Sequence, residues 1–361
     1  MYISQLKLKN FRNYSDETFE FSDGINVICG RNAQGKTNAA EGVFYLCTGY
    51  SPRATRDKQV VKYGESNAYI SGTAVTRYGD VKAEIDFLPD KKDIKINGVP
   101  VLRMGELLGN INSVFFNPGE LKLIQETPDD RRRFLDISLS QMDRKYFYSL
   151  QKYKKILSQR NSLLKDEDKE LVRDTLPIWD AQLAKAAAVI VKDRNEFLRL
   201  LAPYAKEAHA FITGGAEELE VSAAYRYEGD EKMIAGQILS DLKETIEKNI
   251  ALGYTTVGPH RDDLKIKING EDVKIFGSQG QQRTAALSLK LAELEVFNFK
   301  FAEYPVLLLD DALSELDSFR REKVLERTDG IQTIITCTEI DGSMAGRNYK
   351  KFEISGGSIV G

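Results

Sequence analysis

Alternation of apolar and polar residues governs the first hundred positions. Tyr2, Leu6 and Leu8 fall on one face of an opening strand, and Val81, Ala83, Ile85 and Phe87 alternate with Lys82, Glu84 and Asp86, the period expected of half-buried strands. The pentapeptide IKING occurs at Ile94–Gly98 and again at Ile266–Gly270. Each places Asn-Gly where a tight hairpin needs two residues of positive φ. From about Asp129 to Ile250 the pattern changes: Lys, Glu, Leu and Ala dominate, and glycine is absent from Leu121 through Ile212, which predicts long helices. If Ile137–Ala210 folds as a helical hairpin, each arm has at most ~35 residues and reaches ~50 Å. Pro177, Pro203 and Gly214-Gly215 punctuate this insert, and Lys165–Glu170 reads as a solvated turn. A further helix is predicted from Gln281 to about Phe297. Pro305 then opens Val306–Leu309, apolar on both faces and suited to a central parallel strand.

The composition is that of a globular chain. Its 361 residues are 42% hydrophobic, 29% charged and 9% aromatic, enough for two to three lobes at roughly 150 residues each. Fifty-one basic against 54 acidic residues leave a formal charge of -3, so any polyanion surface must be a local patch. Three cysteines without CxxC spacing and two histidines argue against a disulfide framework, a zinc site and a His-based triad. The N-terminus lacks the apolar stretch of a signal peptide, and no run approaches the ~18 apolar residues of a membrane span. The expectation is a cytoplasmic protein without a membrane partner.

The sharpest local signal follows the apolar run Ile25–Cys29. Gly30, Arg31, Asn32, Ala33, Gln34, Gly35, Lys36 and Thr37 match GxxxxGK[ST], with a helix predicted from Asn38. Glycines let backbone N–H groups converge on phosphates, Lys36 brings a cation to the β and γ groups, and Thr37 a hydroxyl for Mg²⁺. The expected cofactors are therefore ATP and Mg²⁺. Asp310 at the end of the apolar strand is the second expected Mg²⁺ ligand, and Asp311 is placed to orient or deprotonate the attacking water.

Ser278–Arg283, SQGQQR, resembles the signature motif of ABC-type ATPases, with Gln279 in place of its first glycine. Ser278, the Gly280 backbone, Gln281 and the helix N-terminus form a second candidate anion site; an ordinary serine N-cap is the alternative. Ser314–Asp317, SELD, resembles the D-loop of the same class. In ABC-type heads the signature faces the γ-phosphate held by another subunit, so the resemblance implies an ATP-dependent homodimer in which Asp317 also approaches the partner's site.

Six segments in order, LKNFRNY (Leu8–Tyr14), the phosphate loop, Pro118–Asp136, GPHRDDL (Gly258–Leu264), SQGQQR and LLLDDALSELD, resemble the RecF family of bacterial recombination mediators, related to SMC-type heads. The resemblance implies an α/β ABC-type P-loop ATPase head built from residues 1–115 and 256–361, with mixed sheets, and a mainly helical lobe II with a short arm over 116–255. It places Arg12 near the nucleotide. It also implies a role in recombinational repair and replication restart: a dimer clamping double-stranded DNA near single-strand gaps and junctions, with RecR, and RecO and RecA indirectly. A short SMC-like head of another DNA-processing complex is the alternative. Asn117 stands where ABC proteins carry the Q-loop glutamine, and Cys337-Thr338-Glu339 where transporters carry a switch histidine, which points to slow hydrolysis. Candidate DNA contacts are Arg53 and Arg56, then Arg131, Arg132 and Arg133, with Lys58, Lys152, Lys154 and Lys155 as further basic positions. The arginine triplet has another possible use, pairing with Asp129 and Asp130.

Overall fold

The structure, a computed structural model, describes residues 1–224, 227–340 and 342–361. The chain opens with the hairpin β1 (Tyr2–Phe11) and β2 (Tyr14–Glu20), then passes through β3 (Ile25–Cys29) into helix α1 (Lys36–Thr48). A meander follows: β4 (Ala68–Thr76), β5 (Gly79–Phe87), β6 (Lys92–Ile96) and β7 (Val99–Pro100), before β8 (Ser113–Phe116). The middle comprises α2 (Lys122–Gln125), α3 (Pro128–Met142), α4 (Arg144–Leu163), α5 (Lys169–Thr213), β9 (Leu219–Ala223), α6 (Glu231–Glu244) and α7 (Ile246–Leu252). The chain closes with β10 (Leu264–Ile268), β11 (Glu271–Asp272), α8 (Val273–Phe276), α9 (Gln279–Phe301), β12 (Val306–Asp310), α10 (Ser318–Arg327), β13 (Thr333–Cys337), β14 (Tyr349–Ser355) and β15 (Ser358–Ile359).

These strands form three sheets, ordered β2-β1-β4-β5-β6-β7, β11-β10-β9 and β15-β14-β3-β13-β12-β8. The first is antiparallel throughout. In the third, β14, β3, β13, β12 and β8 run parallel. Its strands bury both faces, and residue parity sorts their side chains into two cores. Val27, Cys29, Val114, Phe116, Leu307, Leu309 and Ile335 join the core beneath α3, α4, α5 and α9. Ile28, Phe115, Val306, Leu308 and Ile334 join the other, shared with α1 and the antiparallel sheet. Residues from both ends of the chain thus share the sheet that carries the phosphate loop. Both IKING pentapeptides turn tight hairpins, with Asn97, Gly98, Asn269 and Gly270 at positive φ.

Three expectations are corrected. The register of β1 against β4 shifts between Ile3 and Gln5. This bulge buries Ile3 with Leu6 and Leu8 and leaves Tyr2 half-buried, because one extra residue reverses the alternation. The insert is also less symmetric than expected: α4 has 20 residues and α5 has 45, about 30 and 68 Å at 1.5 Å per residue. Pro177 and Pro203 lie inside α5 rather than at its ends. Both are exposed, as are Arg173 and Arg199, whose carbonyls lose their helical donors; on this face solvent can replace those donors while the opposite face holds the helix to the core. The predicted turn is present between α4 and α5. Apart from these three, β9 of the middle region pairs with β10 beyond it, tying the helical segment to the hairpin before α9.

Candidate nucleotide site

The loop between β3 and α1 takes positive φ at Gly30 (149°), Ala33 (64°) and Gly35 (120°). At Gly30 space excludes a side chain as well, since a Cβ there would overlap the Ile354 carbonyl oxygen, whereas one at Gly35 would displace the end of the Asn13 side chain (2.7 Å to Oδ1). The loop is pinned from outside. Tyr14 Oη donates to the Gly35 carbonyl (2.9 Å), and Asn13 Nδ2 (2.7 Å) and the Gly357 amide (3.0 Å) donate to that of Gln34. Lys36 is buried, its ammonium donating to the carbonyls of Gly30 (2.7 Å) and Arg31 (2.9 Å) across the mouth of the loop. Among the described residues, no backbone amide from Arg31 to Thr37 has an acceptor within the chain. A ring of free N–H donors around one ammonium is an anion cradle.

The acid half of the site arrives from the neighbouring strands. Asp310 closes β12, is 3% exposed, and accepts hydrogen bonds from Thr37 Oγ1 (2.8 Å) and Thr336 Oγ1 (2.6 Å). Burial pushes its carboxyl up, opposed by the Thr336 and Thr37 bonds and by the Arg53 charge. A hydroxyl and a carboxylate in contact beside an anion cradle fit a hard divalent cation such as Mg²⁺. Asp311 is exposed and held at φ 50°, its amide donating to the Thr336 carbonyl (3.2 Å) and hydroxyl (3.1 Å). Asn117 accepts from the Gly119 amide (2.7 Å) and so caps its own turn. Cys337 aligns with Cys29 on the adjacent strand; burial, then Cys29, pushes its thiol up to about 11, so it stays neutral at physiological pH.

Ser278 N-caps α9, accepting from the Gln281 amide (3.2 Å) while Gln281 Oε1 accepts from the Ser278 amide (2.9 Å). The alternative reading of Ser278 as a cap is therefore present, and it leaves Ser278 and Gly280 exposed. Asp317 caps α10 through the Arg320 amide (2.9 Å). The signature turn and the SELD turn share one surface hollow of about 340 Å³, lined by Gln279, Gly280, Arg283, Leu316, Asp317 and Arg320. Among the described residues, no hydrogen bond or ion pair within one chain joins the phosphate loop, Gly30–Asn38, to the signature turn, Ser278–Gln281.

An AAA domain family profile matches residues 5–336. DNA replication and repair protein RecF of Ruminiclostridium cellulolyticum is 41% identical over 369 residues, covering 99% of both chains. RecF of Acetivibrio thermocellus is 43% identical over 345 residues, 94% of each. The chain belongs to the RecF family. A solved structure described as the recombination mediator protein RecF-ATPrS in the RecFOR pathway matches with a TM-score of 0.90 at 37% identity, covering 99% of this chain and 97% of that one. An Smc head domain from Pyrococcus furiosus matches at TM-score 0.60 and 18% identity, over 99% of this chain and 96% of that one, a likeness of fold. The fold is that of an ABC-type P-loop ATPase head. Among the described residues no helix is long and apolar enough to cross a membrane.

The segments Pro118–Asp136 and Gly258–Leu264 meet each other. Arg131 of α3 is 6% exposed and forms a two-pronged pair with Asp263 (Nε–Oδ1 2.5 Å, Nη2–Oδ2 3.1 Å). Arg132 binds Asp129 and the Asp262 carbonyl, and Arg194 of α5 bridges Asp136 (2.8 Å) and Asp262 (3.2 Å). Arg131, expected among the DNA contacts, is thus committed to an internal brace, and Arg132 largely so; the bracing partners are chiefly Asp262 and Asp263 rather than Asp130. Arg133 is exposed above the Tyr50 ring. Arg56 is exposed at the start of a single 3-10 turn. Arg12 and Arg53 both converge on Glu41 of α1, a residue absent from the sequence-based site. Its signal was present: Glu41 is the one charged residue in the otherwise apolar run Ala39–Leu46.

Proposed function

We propose that this chain is an ATP-dependent DNA-binding protein of recombinational repair and replication restart. It works as a slow, DNA-dependent ATPase, and ATP drives a homodimer that clamps double-stranded DNA near single-strand gaps. The observation that carries the reading is the Thr37–Asp310 contact beside a loop whose amides are left without acceptors and whose mouth is spanned by the Lys36 ammonium, on a chain that exposes Ser278 and Gly280 elsewhere. Residues 1–115 and 256–361 serve as the ATPase lobe and 116–255 as the mainly helical lobe. Gly30–Asn38 hold the phosphates, Thr37 and Asp310 hold Mg²⁺, and Arg12 flanks the loop. Bound ATP and Mg²⁺ supply the transferable phosphoryl group and neutralisation of its developing charge. Asp311 orients the attacking water and accepts its proton. Ser278, Gly280, Gln281 and Asp317 complete the site of the partner protomer. The missing switch histidine, and an Asp311 side chain one methylene shorter than the glutamate common in transporters, fit a timer rather than a rapid motor.

Exposed Arg56 and Arg133 suit backbone phosphates of a duplex, giving salt-dependent binding without base readout. A neighbour's description as a RecFOR-pathway protein supports RecR as a direct partner, with RecO and RecA reached indirectly. The alternative of an SMC-like head is disfavoured by α4, which turns back after 20 residues. Lys36→Ala is expected to abolish ATP-dependent dimerisation because the phosphates lose their cation, whereas Asp311→Asn retains ATP and accumulates dimers. Sedimentation with ATP reads both, and an Asp311→Asn protein that stays monomeric contradicts the scheme.

A further inference from the structure

Helix α1 buries one acid. Glu41 is fully buried, one turn past Thr37, and its carboxylate accepts two bonds from Arg12, Nη2 to Oε1 at 2.6 Å and Nε to Oε2 at 3.0 Å. Arg53 Nη2 donates to Oε2 and the Ser51 hydroxyl to Oε1. The same Arg53 nitrogen donates to Asn38 Oδ1 (2.5 Å); Asn38 Nδ2 donates to Asn13 Oδ1 (2.8 Å), and Asn13 Nδ2 to the Gln34 carbonyl (2.7 Å). An unbroken polar chain therefore runs from Glu41 into the phosphate loop. Burial alone would push the Glu41 carboxyl up, but the Arg12 and Ser51 hydrogen bonds and the Arg53 charge hold it below the usual carboxylate range, so it is ionised at neutral pH.

One carboxylate between two guanidiniums leaves this trio with one positive charge over. Arg12 is 20% and Arg53 42% exposed in their side chains, so the surplus faces outward. It also lies beside the acid half of the site, where the Arg53 charge acts on Asp310. We propose that Glu41 is a positioning residue of the nucleotide site: it holds Arg12 and Arg53 together beside the phosphate loop, so that their surplus charge receives the terminal phosphate of the nucleotide. This rests on the reading that the loop binds ATP. It reassigns Arg53 from DNA to the nucleotide, and it explains why the acid sits on the helix that the loop opens.

The test compares binding of fluorescent ATP and ADP derivatives to the full chain and to Glu41→Gln, Arg53→Ala and the double variant, with Lys36→Ala as reference. A charge-assisted bond is stronger than a neutral one, so Glu41→Gln is expected to lose about tenfold or more in ATP affinity, with ADP affinity changing much less. Arg53→Ala, at a half-exposed position that does not threaten folding, is expected to reproduce this ATP-selective loss, and the double variant to lose no more than either single one. Equal losses for ATP and ADP, or additive losses in the double variant, overturn the proposal. Wild type and Lys36→Ala binding ATP equally would instead overturn the reading of the loop.

Discussion

His260, one of two histidines in the chain, shows how the GPHRDDL segment is used. Its Nε2 donates to the Thr255 carbonyl (3.0 Å) and its Nδ1 accepts from the Tyr153 hydroxyl (2.5 Å), an arrangement that suits the neutral ring. Burial and then the charges of Arg261, Arg132 and Arg160, against the Thr255 bond, lower its pKa to about 4. The folded-state value lies below the roughly 6.5 of an unfolded histidine, so the stability contributed by the neutral ring is complete above about pH 6.5 and is lost as pH falls toward 4. Asp262 acts in the opposite sense, since burial raises its carboxyl to about 6 despite Arg194. NMR titration is expected to place His260 well below pH 5.5, and the stability gap between wild type and His260→Gln in urea to shrink from pH 7 to 4.5. A normal titration near 6.5 contradicts this account. The residue scale also shows what a linear reading misses. Glu41 draws its partners from positions 12, 51 and 53, and Arg131 finds Asp263 132 residues away; neither pairing leaves a mark in local spacing.

At the scale of elements, α5 tests how far propensity governs this fold. Its buried residues recur at Leu176, Asp180, Leu183, Ala187, Ile190, Arg194, Phe197, Leu201, Ala205 and Ala208, a stripe that passes both prolines without interruption. Proline is read as a helix breaker from sequence, but tertiary contact along the stripe outweighs one missing hydrogen bond. Pro177→Ala is accordingly expected to stabilise the chain by about 1–3 kcal/mol, measured by urea denaturation; a loss of stability would show that the proline fits a local geometry alanine cannot. The strands and hairpins were legible because alternation and Asn-Gly are local signals. The β1 bulge was not, since it depends on register against β4. The pairing of β9 with β10 likewise joins segments more than 40 residues apart.

Across the whole molecule, the contiguous phosphate loop was the part of the site most fully written in the sequence, and the strand pairing β13 between β3 and β12 brings Asp310 to Thr37 from 273 residues away. What the sequence left open was which cations remain available. Arg131 is held inside, Arg12 and Arg53 gather at Glu41, and Arg56 and Arg133 stay exposed. Among the described residues, the same architecture leaves the loop of Gly30–Thr37 and the exposed, capped turn at Ser278 without a polar contact between them on one chain, and a second copy is the proposed means of joining them. Sedimentation velocity on wild type and Ser278→Arg, with and without ATP and duplex DNA, tests that directly. Wild type is expected to dimerise with ATP, and Ser278→Arg to stay monomeric while its monomer affinity for ATP is nearly unchanged. A wild-type chain that remains monomeric when saturated with ATP, or a Ser278→Arg chain that loses nucleotide as a monomer, would contradict the account.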